Sequence, residues 1–333
     1  MNTFADRSTP LSLPNPPVML APLAGITDLP FRKLVSKFGA GRVVSEMVAS
    51  QELLSSRPGT REKAELGAEV ENTAVQLAGR DPEWMAEAAR QVADMGAKII
   101  DINMGCPAKK VTSGYSGSAL MRDLDHALKL IDAVVEAVNL PVTLKTRLGW
   151  DENLLNAPEL AVRSEQVGVQ QIVIHGRTRC QFYKGAADWS AIGRVKNAVN
   201  IPVIANGDIT DPQTARNALD QSGADGVMIG RGAQGRPWVL AEVAHAIYGD
   251  QAAICAPDVP SGADLCDLVS GHFEDMLAFY GSSLGGRVAR KHLGWYMDFA
   301  QTPAALRREV LTADPSVVLR LLPLALQQHQ EAA

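Results

Sequence analysis

The sequence predicts an α/β protein, a (β/α)8 TIM barrel followed by an all-helical C-terminal domain. Eight short apolar runs alternate with helical patterns between Val18 and Tyr248. The runs are rich in Val and Ile, which is typical of parallel strands that are covered on both faces. Eight such units over about 230 residues match the usual size of this barrel. After Tyr248 the alternation ends and helical periodicity dominates.

The predicted strands follow in order along the chain, and three of the helices between them carry start signals. The strands cover residues 18–23, 43–47, 74–77, 98–103, 142–147, 171–175, 203–206 and 227–230. Asp28, Asp81 and Asp211 each stand one or two residues before a proline. This order places a capping side chain ahead of a proline in the first helical turn. Residues 122–138 are predicted to form a longer helix.

A doubly wound open sheet is the alternative reading of the same alternation. That fold carries a Gly-x-Gly-x-x-Gly turn after its first strand, and the turn is missing here. We therefore favour the barrel.

Changes in composition divide the chain into four parts. These are a loose polar leader at 1–17, the barrel domain at 18–248, a linker at 249–262 and a helical domain at 263–333. Helices are predicted in the last part over 263–280, 287–300 and 316–330. The pair Gly285-Gly286 is expected to break the chain between the first two, and Pro323 is expected to bend the third.

Composition and charge limit the kinds of protein that this sequence can encode. The four cysteines, Cys106, Cys180, Cys255 and Cys266, form no C-x-x-C pair and no zinc-like cluster, so we expect no metal. The net charge of −5 argues against bulk attraction to nucleic acid but leaves room for a local basic patch. The sequence lacks both an apolar run of about 18 residues, the length that spans a bilayer, and a secretory signal. We expect a cytoplasmic protein, and a monomer.

The active site of a TIM barrel lies at the carboxyl ends of its strands. Those ends supply Pro22, Leu23, Ala24, Gln76, Asn103, Cys106, Lys145, Arg147, His175, Arg177, Asn206, Gly207, Asp208, Gly230 and Arg231. Glycines after the last two strands let backbone N–H groups point at a phosphate, which Arg231 can neutralise. The alternative is that Gly207 and Gly230 only make tight turns.

Three further strand-end residues suit an anionic, planar ligand, although each has a second interpretation. Lys145 can form a Schiff base, hold positive charge beside an anionic cofactor, or pair with a carboxylate such as Glu46 or Asp101. His175 can face a ligand or bridge neighbouring loops. Gln76 offers a donor and an acceptor to the edge of a heterocycle. Together these residues favour a phosphate-tailed ring, and flavin mononucleotide (FMN) fits best.

The run Asp-Ile-Asn-Met-Gly-Cys-Pro at 101–107 is the most informative motif. It closes a strand and presents the Cys106 thiol at a turn, where Gly105 is expected to adopt angles that other residues avoid. Asn103 can read a nucleobase edge, and a thiol of ordinary pKa, about 8.5, is mostly protonated at neutral pH and can protonate a carbon acid. The alternative is a cysteine that only packs.

Several motifs together resemble the tRNA-dihydrouridine synthase family. They are APLAGITD (21–28), SEM (45–47), DINMGCP (101–107), LKTRLGW (144–150), HGRTR (175–179), ANGDI (205–209), MIGR (228–231) and RVARKH (287–292). The sequence GCPAKKV at 105–111 is most similar to the bacterial B-type branch. Leu23 departs from the family, where methionine is common, but a backbone contact survives that change.

The resemblance implies an FMN enzyme that uses NADPH to reduce the C5–C6 double bond of particular uridines in tRNA. Hydride would pass from flavin N5 to C6, and Cys106 would protonate C5. The resemblance assigns the flavin to Pro22, Leu23 and Ala24 (backbone), Gln76 (ring edge), Lys145 (N1–O2 side), His175 (ring), and Asn206, Gly207, Asp208, Gly230 and Arg231 (phosphate). Asn103 and Arg177 would face the uracil.

A substrate base stacked in tRNA must swing out at a cost of a few kcal/mol, which contacts elsewhere must offset. Arg287, Arg290 and Lys291 fall at i, i+3 and i+4, so we expect one basic helix face that contacts phosphates. The alternative is a solvated surface. Two rival functions remain open at this point, a flavin oxidoreductase of a free dihydropyrimidine and a non-catalytic nucleic-acid-binding barrel.

Overall fold

The computed structural model describes residues 11–55, 60–67, 73–252 and 255–327. The strands are β1 Val18–Leu20, β2 Arg42–Val44, β3 Val48–Ala49, β4 Thr73–Ala78, β5 Ile99–Met104, β6 Val142–Arg147, β7 Gln171–His175, β8 Val203–Asn206 and β9 Gly226–Ile229. The barrel helices are α1 Leu29–Lys37, α2 Ser50–Leu54, α3 Thr60–Ala64, α4 Pro82–Asp94, α5 Lys109–Thr112, α6 Leu124–Ala137, α7 Ala157–Gln166, α8 Trp189–Lys196, α9 Pro212–Ser222 and α10 Val239–Ala252. The C-terminal helices are α11 Gly262–Tyr280, α12 Ser282–Phe299, α13 Ala304–Thr312 and α14 Pro315–Ala325.

The strands form one closed parallel sheet, which confirms the barrel and rules out the open sheet. Their order is β2-β1-β9-β8-β7-β6-β5-β4-β3, and β2 also pairs with β4 to close the ring. β2 pairs with the beginning of β4, and β3 pairs with its end. The single strand predicted at 43–47 is therefore two short pieces that share one barrel position.

Alternation along the strands separates the core into an outer layer and an inner layer, since successive side chains point to opposite faces. Val18 and Leu20 of β1 belong to the large cluster beneath the helices. Met19 and Ala21 belong to a smaller cluster with Val173 and other inward side chains. The same alternation carries polar side chains into the barrel near its carboxyl end, and this defines where a site can form.

The predicted capping residues begin their helices as expected. Asp28 accepts from the Phe31 N–H at 3.0 Å, and Asp81 accepts from the Trp84 N–H at 3.0 Å. Asp211 accepts from the Thr214 N–H at 2.8 Å in a capping box. Each contact satisfies a backbone donor that the first helical turn leaves free.

The described part of the predicted leader is packed rather than loose. Leu11 and Leu13 pack against the inner cluster of the barrel. Arg42 donates to the Ser12 carbonyl at 3.3 Å and to Gln171 Oε1 at 2.9 Å inside the barrel. Residues 11–17 therefore contribute to the barrel's amino end, and the rest of the leader lies outside the described residues.

The C-terminal helices share a second core with Trp238 of the barrel domain. The predicted break at Gly285-Gly286 is wrong, because α12 runs through both glycines. A Cβ on Gly285 would lie 2.6 Å from the Met276 carbonyl oxygen, and one on Gly286 would lie 2.6 Å from Pro315 Cγ. The glycines therefore permit close packing onto α11 and α14 instead of ending a helix.

Two other boundaries in this region differ from the expected ones, and one helix is additional. Helix α10 continues to Ala252 and α11 begins at Gly262, so the segment between them is shorter than the predicted linker. Helix α13 was not predicted.

None of the described helices is both long and apolar enough to span a bilayer.

Candidate active site

A cavity of about 470 Å³ opens at the carboxyl ends of the barrel strands. This volume lies within the range of small-molecule sites, about 300–1,000 Å³. The predicted residues that line it are Pro22, Leu23, Ala24, Gln76, Asn103, Cys106, Lys145, Arg147, His175, Asn206, Gly207, Asp208, Gly230 and Arg231. The structure thus brings together every predicted residue of the barrel end except Arg177.

The turn that carries Cys106 is held by side chains at both sides. Asn103 Oδ1 accepts from the backbone N–H of Cys106 at 3.0 Å and of Gly105 at 3.3 Å. The Cys106 carbonyl accepts from the Ser118 N–H at 3.1 Å and its hydroxyl at 2.9 Å. The thiol is partly exposed and free, so it is not the packed cysteine of the alternative reading.

The expectation for Gly105 is wrong. Its φ is not in the left-handed region, and the nearest atom to a Cβ built there would be 3.5 Å away, an ordinary contact. The turn geometry comes instead from the Asn103 side chain, which accepts two successive backbone N–H groups.

A chain of buried hydrogen bonds fixes the orientation of the Asn103 amide. Asp101 Oδ2 accepts from Gln76 Nε2 at 2.6 Å, and Gln76 Oε1 accepts from Asn103 Nδ2 at 2.8 Å. Thr143 donates to the other Asp101 oxygen at 2.6 Å. Because a carboxylate only accepts, Asp101 sets the direction of both amides. Burial raises the pKa of Asp101, while the donors Thr143 and Gln76, together with the charge of Lys145, lower it.

We expect Asp101→Ala to destabilise the protein by about 1–3 kcal/mol, since it leaves Gln76 Nε2 buried without its acceptor. It should also speed alkylation of Cys106, because the turn is no longer held. Asp101→Asn can still present an oxygen to Gln76 and should retain most of both properties. Urea unfolding measures the change in stability. The rate of Cys106 alkylation is measured in a background in which the other three cysteines are replaced by serine. Equal behaviour of the two variants would contradict this role of Asp101.

Lys145 is buried in the cavity wall and donates to Asn206 Oδ1 at 2.8 Å. The Asn206 amide is oriented by its own bond to the Met228 carbonyl at 2.8 Å. Among the described carboxylates, none forms an ion pair with Lys145, so the salt-bridge alternative is wrong. The pKa of Lys145 is lowered to about 8, chiefly by burial; Asp101 opposes this effect and Arg147 adds to it.

His175 lines the cavity as a neutral ring. Burial, then the positive charges of Arg147 and Lys145, lower its pKa well below the ordinary value. Its Nδ1 atom is buried and has no hydrogen-bond partner among the described residues. The ring as a whole lines the cavity, but this nitrogen is turned away from its open space.

The turn after β8 combines left-handed backbone with charged side chains. Gly207 adopts a φ of 112°, which favours glycine, and Trp189 Nε1 donates to its carbonyl at 2.9 Å. Asp208, also left-handed at 54°, accepts from Arg231 at 3.3 Å. Arg231 itself is half exposed at the mouth, where it can reach an anion.

Arg177 lies behind the cavity wall and does not line the cavity. Its guanidinium is buried and donates to both oxygens of Asp208, at 2.9 and 2.5 Å, and to the carbonyls of Lys184 and Gly185. These bonds occupy the side chain, so the expected contact with a substrate base is not supported. Arg177 positions the Asp208 turn instead.

Sequence reasoning missed the aromatic side chains of one cavity wall, which lie against two expected cations. Arg147 Nε donates to the Gly105 carbonyl at 2.8 Å, which ties it to the cysteine turn. The Arg147 and Arg231 guanidinium carbons lie 5.5 and 5.0 Å from the ring centre of Tyr183. Phe182 and Met47 also line the cavity. Arg147 lines the cavity too, as expected from its place on the inward face of β6 with Lys145.

The predicted basic face of α12 is divided in the structure. Arg287 and Arg290 are exposed, whereas Lys291 is half buried. A Cβ on Gly25 would lie 3.1 Å from Lys291 Nζ, so this amine reaches the cavity edge beside Ala24. Burial lowers the pKa of Lys291, and Asp28 and Glu46 oppose that effect. Helix α12 therefore connects the helical region to the barrel mouth.

A closed barrel with a polar cavity at the carboxyl ends of its strands is the arrangement of a TIM-barrel enzyme. A model of the dihydrouridine synthase family (Dus) matches residues 19–328. The chain therefore belongs to the dihydrouridine synthase family.

Individual relatives agree with this assignment. The chain is 62% identical over 321 residues to a probable tRNA-dihydrouridine synthase of Rhodobacter capsulatus, covering 96% of this chain and 97% of the relative. It is 49% identical over 281 residues to tRNA-dihydrouridine synthase B of Xanthomonas axonopodis pv. citri, covering 84% and 83%. The B-type resemblance of the sequence is thereby confirmed.

Among solved structures, histamine dehydrogenase from Rhizobium sp. 4-9 is similar, with a TM-score of 0.53 and 13% identity. The match covers 77% of this chain and 48% of that chain. It supports the barrel fold alone.

Proposed function

We propose that the protein is an FMN-dependent, NADPH-driven enzyme that reduces the C5–C6 double bond of specific uridines in tRNA to dihydrouridine. The observation that carries the proposal is a partly exposed thiol at the rim of a cavity built for an anionic ring. Family membership supports the reaction, and the motif resemblance supports NADPH as the reductant. The free cysteines favour a reducing, cytoplasmic location.

The residues of the cavity fit FMN. Lys145 and Arg231 offer positive charge to an anion, and the Gly207 and Gly230 turns leave backbone room for a phosphate. The His175 ring and the Gln76 amide both line the cavity and can meet a heterocycle. Pro22, Leu23 and Ala24 offer backbone atoms to its flat face. The lining combines apolar surface with a few placed polar groups, as ligand cavities do.

FMN, when bound, supplies the hydride that is added at C6 of the uracil. The Cys106 Sγ–H donates the proton to C5, so the C5–C6 double bond is lost and the thiol is left as a thiolate that water reprotonates. Asn103 and Ser118 hold the cysteine turn for this transfer. Lys145, desolvated in the wall, stabilises negative charge on whatever occupies the cavity. In this proposal Asn103 also faces the uracil.

Deletion of the gene provides the direct test. We expect tRNA from the deletion strain to lack dihydrouridine at one or more positions, with restoration by the wild-type gene and not by a Cys106→Ala gene. The purified protein should be yellow and release FMN on denaturation. Intact dihydrouridine at every position would reject the tRNA reaction, and a colourless protein that neither binds FMN nor is active would reject the cofactor. Activity on a free dihydropyrimidine alone would favour the small-molecule rival.

We propose that the helical region contacts tRNA phosphates through α12. Arg287 and Arg290 are exposed on this helix, and its neighbour Lys291 reaches the cavity edge. A phosphate backbone seated on α12 would therefore lie beside the mouth.

Arg290→Glu is expected to weaken tRNA binding and to flatten its dependence on salt. Each lost phosphate contact lowers the slope of log K against log salt by about 0.7–0.9. Lys98→Glu is the matched control, because Lys98 is exposed just before β5, at the opposite end of the barrel. Binding titrations at several salt concentrations measure both. A slope equal to that of the control would remove Arg290 from the interface.

A further inference from the structure

Two exposed aromatic side chains beside the cavity are held in an unfavourable backbone conformation. Tyr115 is 64% exposed with a φ of 56°, and Phe182 is 45% exposed with a φ of 55°. Asp208 and Gln301 are the other non-glycine residues with positive φ in the described ranges. The left-handed region is costly for bulky residues, and an exposed ring gains little from burial. Such strain is typical of functional positions.

Both rings belong to loops that pack on the site. Gly117, two residues after Tyr115, approaches the Cys106 turn so closely that a Cβ there would lie 2.8 Å from the Cys106 carbonyl oxygen. The Phe182 carbonyl accepts from Arg147 Nη1 at 2.8 Å, and Phe182 itself lines the cavity. A contact of 3.5 Å between Arg179 Nη2 and Thr112 Oγ1 joins the two loops. Phe182 thus lines the cavity, and Tyr115 lies in the joined loop that packs on the Cys106 turn; we name this pair of residues the stacking rim.

Positive charges surround the stacking rim. Lys109 and Lys110 are exposed on α5, in the same loop as Tyr115. The Arg179 guanidinium carbon lies 4.8 Å from the ring centre of Trp150, and Arg231 covers Tyr183. Exposed rings interleaved with cations fit single-stranded nucleic acid, whose bases stack on aromatic faces while its phosphates meet the charges. An apolar protein partner would match a continuous hydrophobic patch instead.

We propose that Tyr115 and Phe182 stack on unpaired nucleotides that flank the target uridine. This inference rests on the proposed function and deepens it, because it assigns the substrate a single-stranded segment on the side of the mouth formed by these loops. The strand runs between the stacking rim and the edge where Lys291 meets Gly25. The flanking bases then offset part of the cost of extruding the target base.

The test compares binding of an unmodified tRNA transcript to Tyr115→Gly, Phe182→Gly and the control Trp84→Ala. Trp84 is a 37% exposed aromatic on α4, away from the cavity lining. Each glycine variant should bind the transcript about 5- to 150-fold more weakly, the loss of one stacked base. Their salt slopes should equal that of the wild type, because no charge is lost. Tyr115→Phe and Phe182→Tyr should bind like the wild type.

The melting temperature separates stacking from a structural role. Glycine adopts positive φ freely, so Tyr115→Gly should not melt below the wild type despite weaker RNA binding. In Phe182→Gly the same relief offsets the lost edge-to-face contact with Tyr183, whose ring centre lies 4.8 Å away, so this variant should melt close to the wild type. The inference would be overturned if the glycine variants bound the transcript as tightly as Trp84→Ala. It would also be overturned if their weaker binding came with a lower melting temperature. Neither result would affect the proposed function. A wild-type chain that neither binds nor reduces the transcript would overturn both.

Discussion

Replacing Cys106 with alanine is expected to slow uridine reduction on the order of 10²–10⁴-fold, the usual contribution of a positioned proton donor. FMN should stay bound, because the cavity charges and glycine turns are unchanged. The thiol suits the task through its position, since Asn103 and Ser118 hold its backbone and its side chain remains partly exposed. Steady-state rates with an unmodified tRNA transcript, together with flavin content, measure the effect.

The control for this variant is Cys180→Ala. Cys180 is exposed, lies outside the cavity lining and should be dispensable. A Cys106→Ala enzyme that reduces tRNA at the wild-type rate, with its flavin in place, would show that another group donates the proton.

Replacing Lys145 with methionine should weaken FMN binding and slow tRNA reduction by about 10²–10³-fold, the range seen when a preorganised electrostatic contact is removed. Methionine keeps the length of the side chain and removes its charge. Asn206 Oδ1 then loses its donor as well. Titration of the flavin-free protein with FMN gives the affinity, and turnover of the loaded enzyme gives the rate.

The same lysine predicts a pH dependence of cofactor binding. Burial sets the pKa of Lys145 at about 8, so the amine is charged at pH 7 and mostly neutral at pH 9. FMN affinity should therefore fall about tenfold over that interval if the charged form binds. Lys145→Met should show no such fall, whereas Lys98→Met, altered at the far end of the barrel, should keep it. A pH-independent wild-type affinity would contradict the charge role of Lys145.

The barrel strands could be predicted from the sequence where burial alone determines the hydrophobic pattern. β6, β7 and β8 have their predicted bounds, because each is an apolar run covered on both faces and bounded by turn residues. The strand expected at 43–47 divides because Ser45 Oγ accepts the Gln76 N–H at 3.0 Å. The Ser45 side chain thus replaces a backbone acceptor. The hydrophobic pattern of the sequence cannot predict such a replacement.

The cavity residues could be predicted because carboxyl ends of neighbouring strands meet at one rim. The positions of Arg177 and Lys291 could not, since each depends on tertiary contacts. Arg177 turns behind the wall toward Asp208, and Lys291 is drawn to the mouth by the packing of α12. The Gly285-Gly286 pair was misread for the same reason. Glycine marks both chain breaks and close helix packing, and only the neighbouring helices distinguish them.

The most direct test of the account is the anaerobic reoxidation of the FMN-loaded, NADPH-reduced protein by unmodified tRNA. The account predicts rapid reoxidation with dihydrouridine formed in step, a rate lowered at least 10²-fold in Cys106→Ala, and no comparable reaction with free uracil or orotate. Equal rates for the two proteins, or a free pyrimidine that reacts as fast as tRNA, would contradict it.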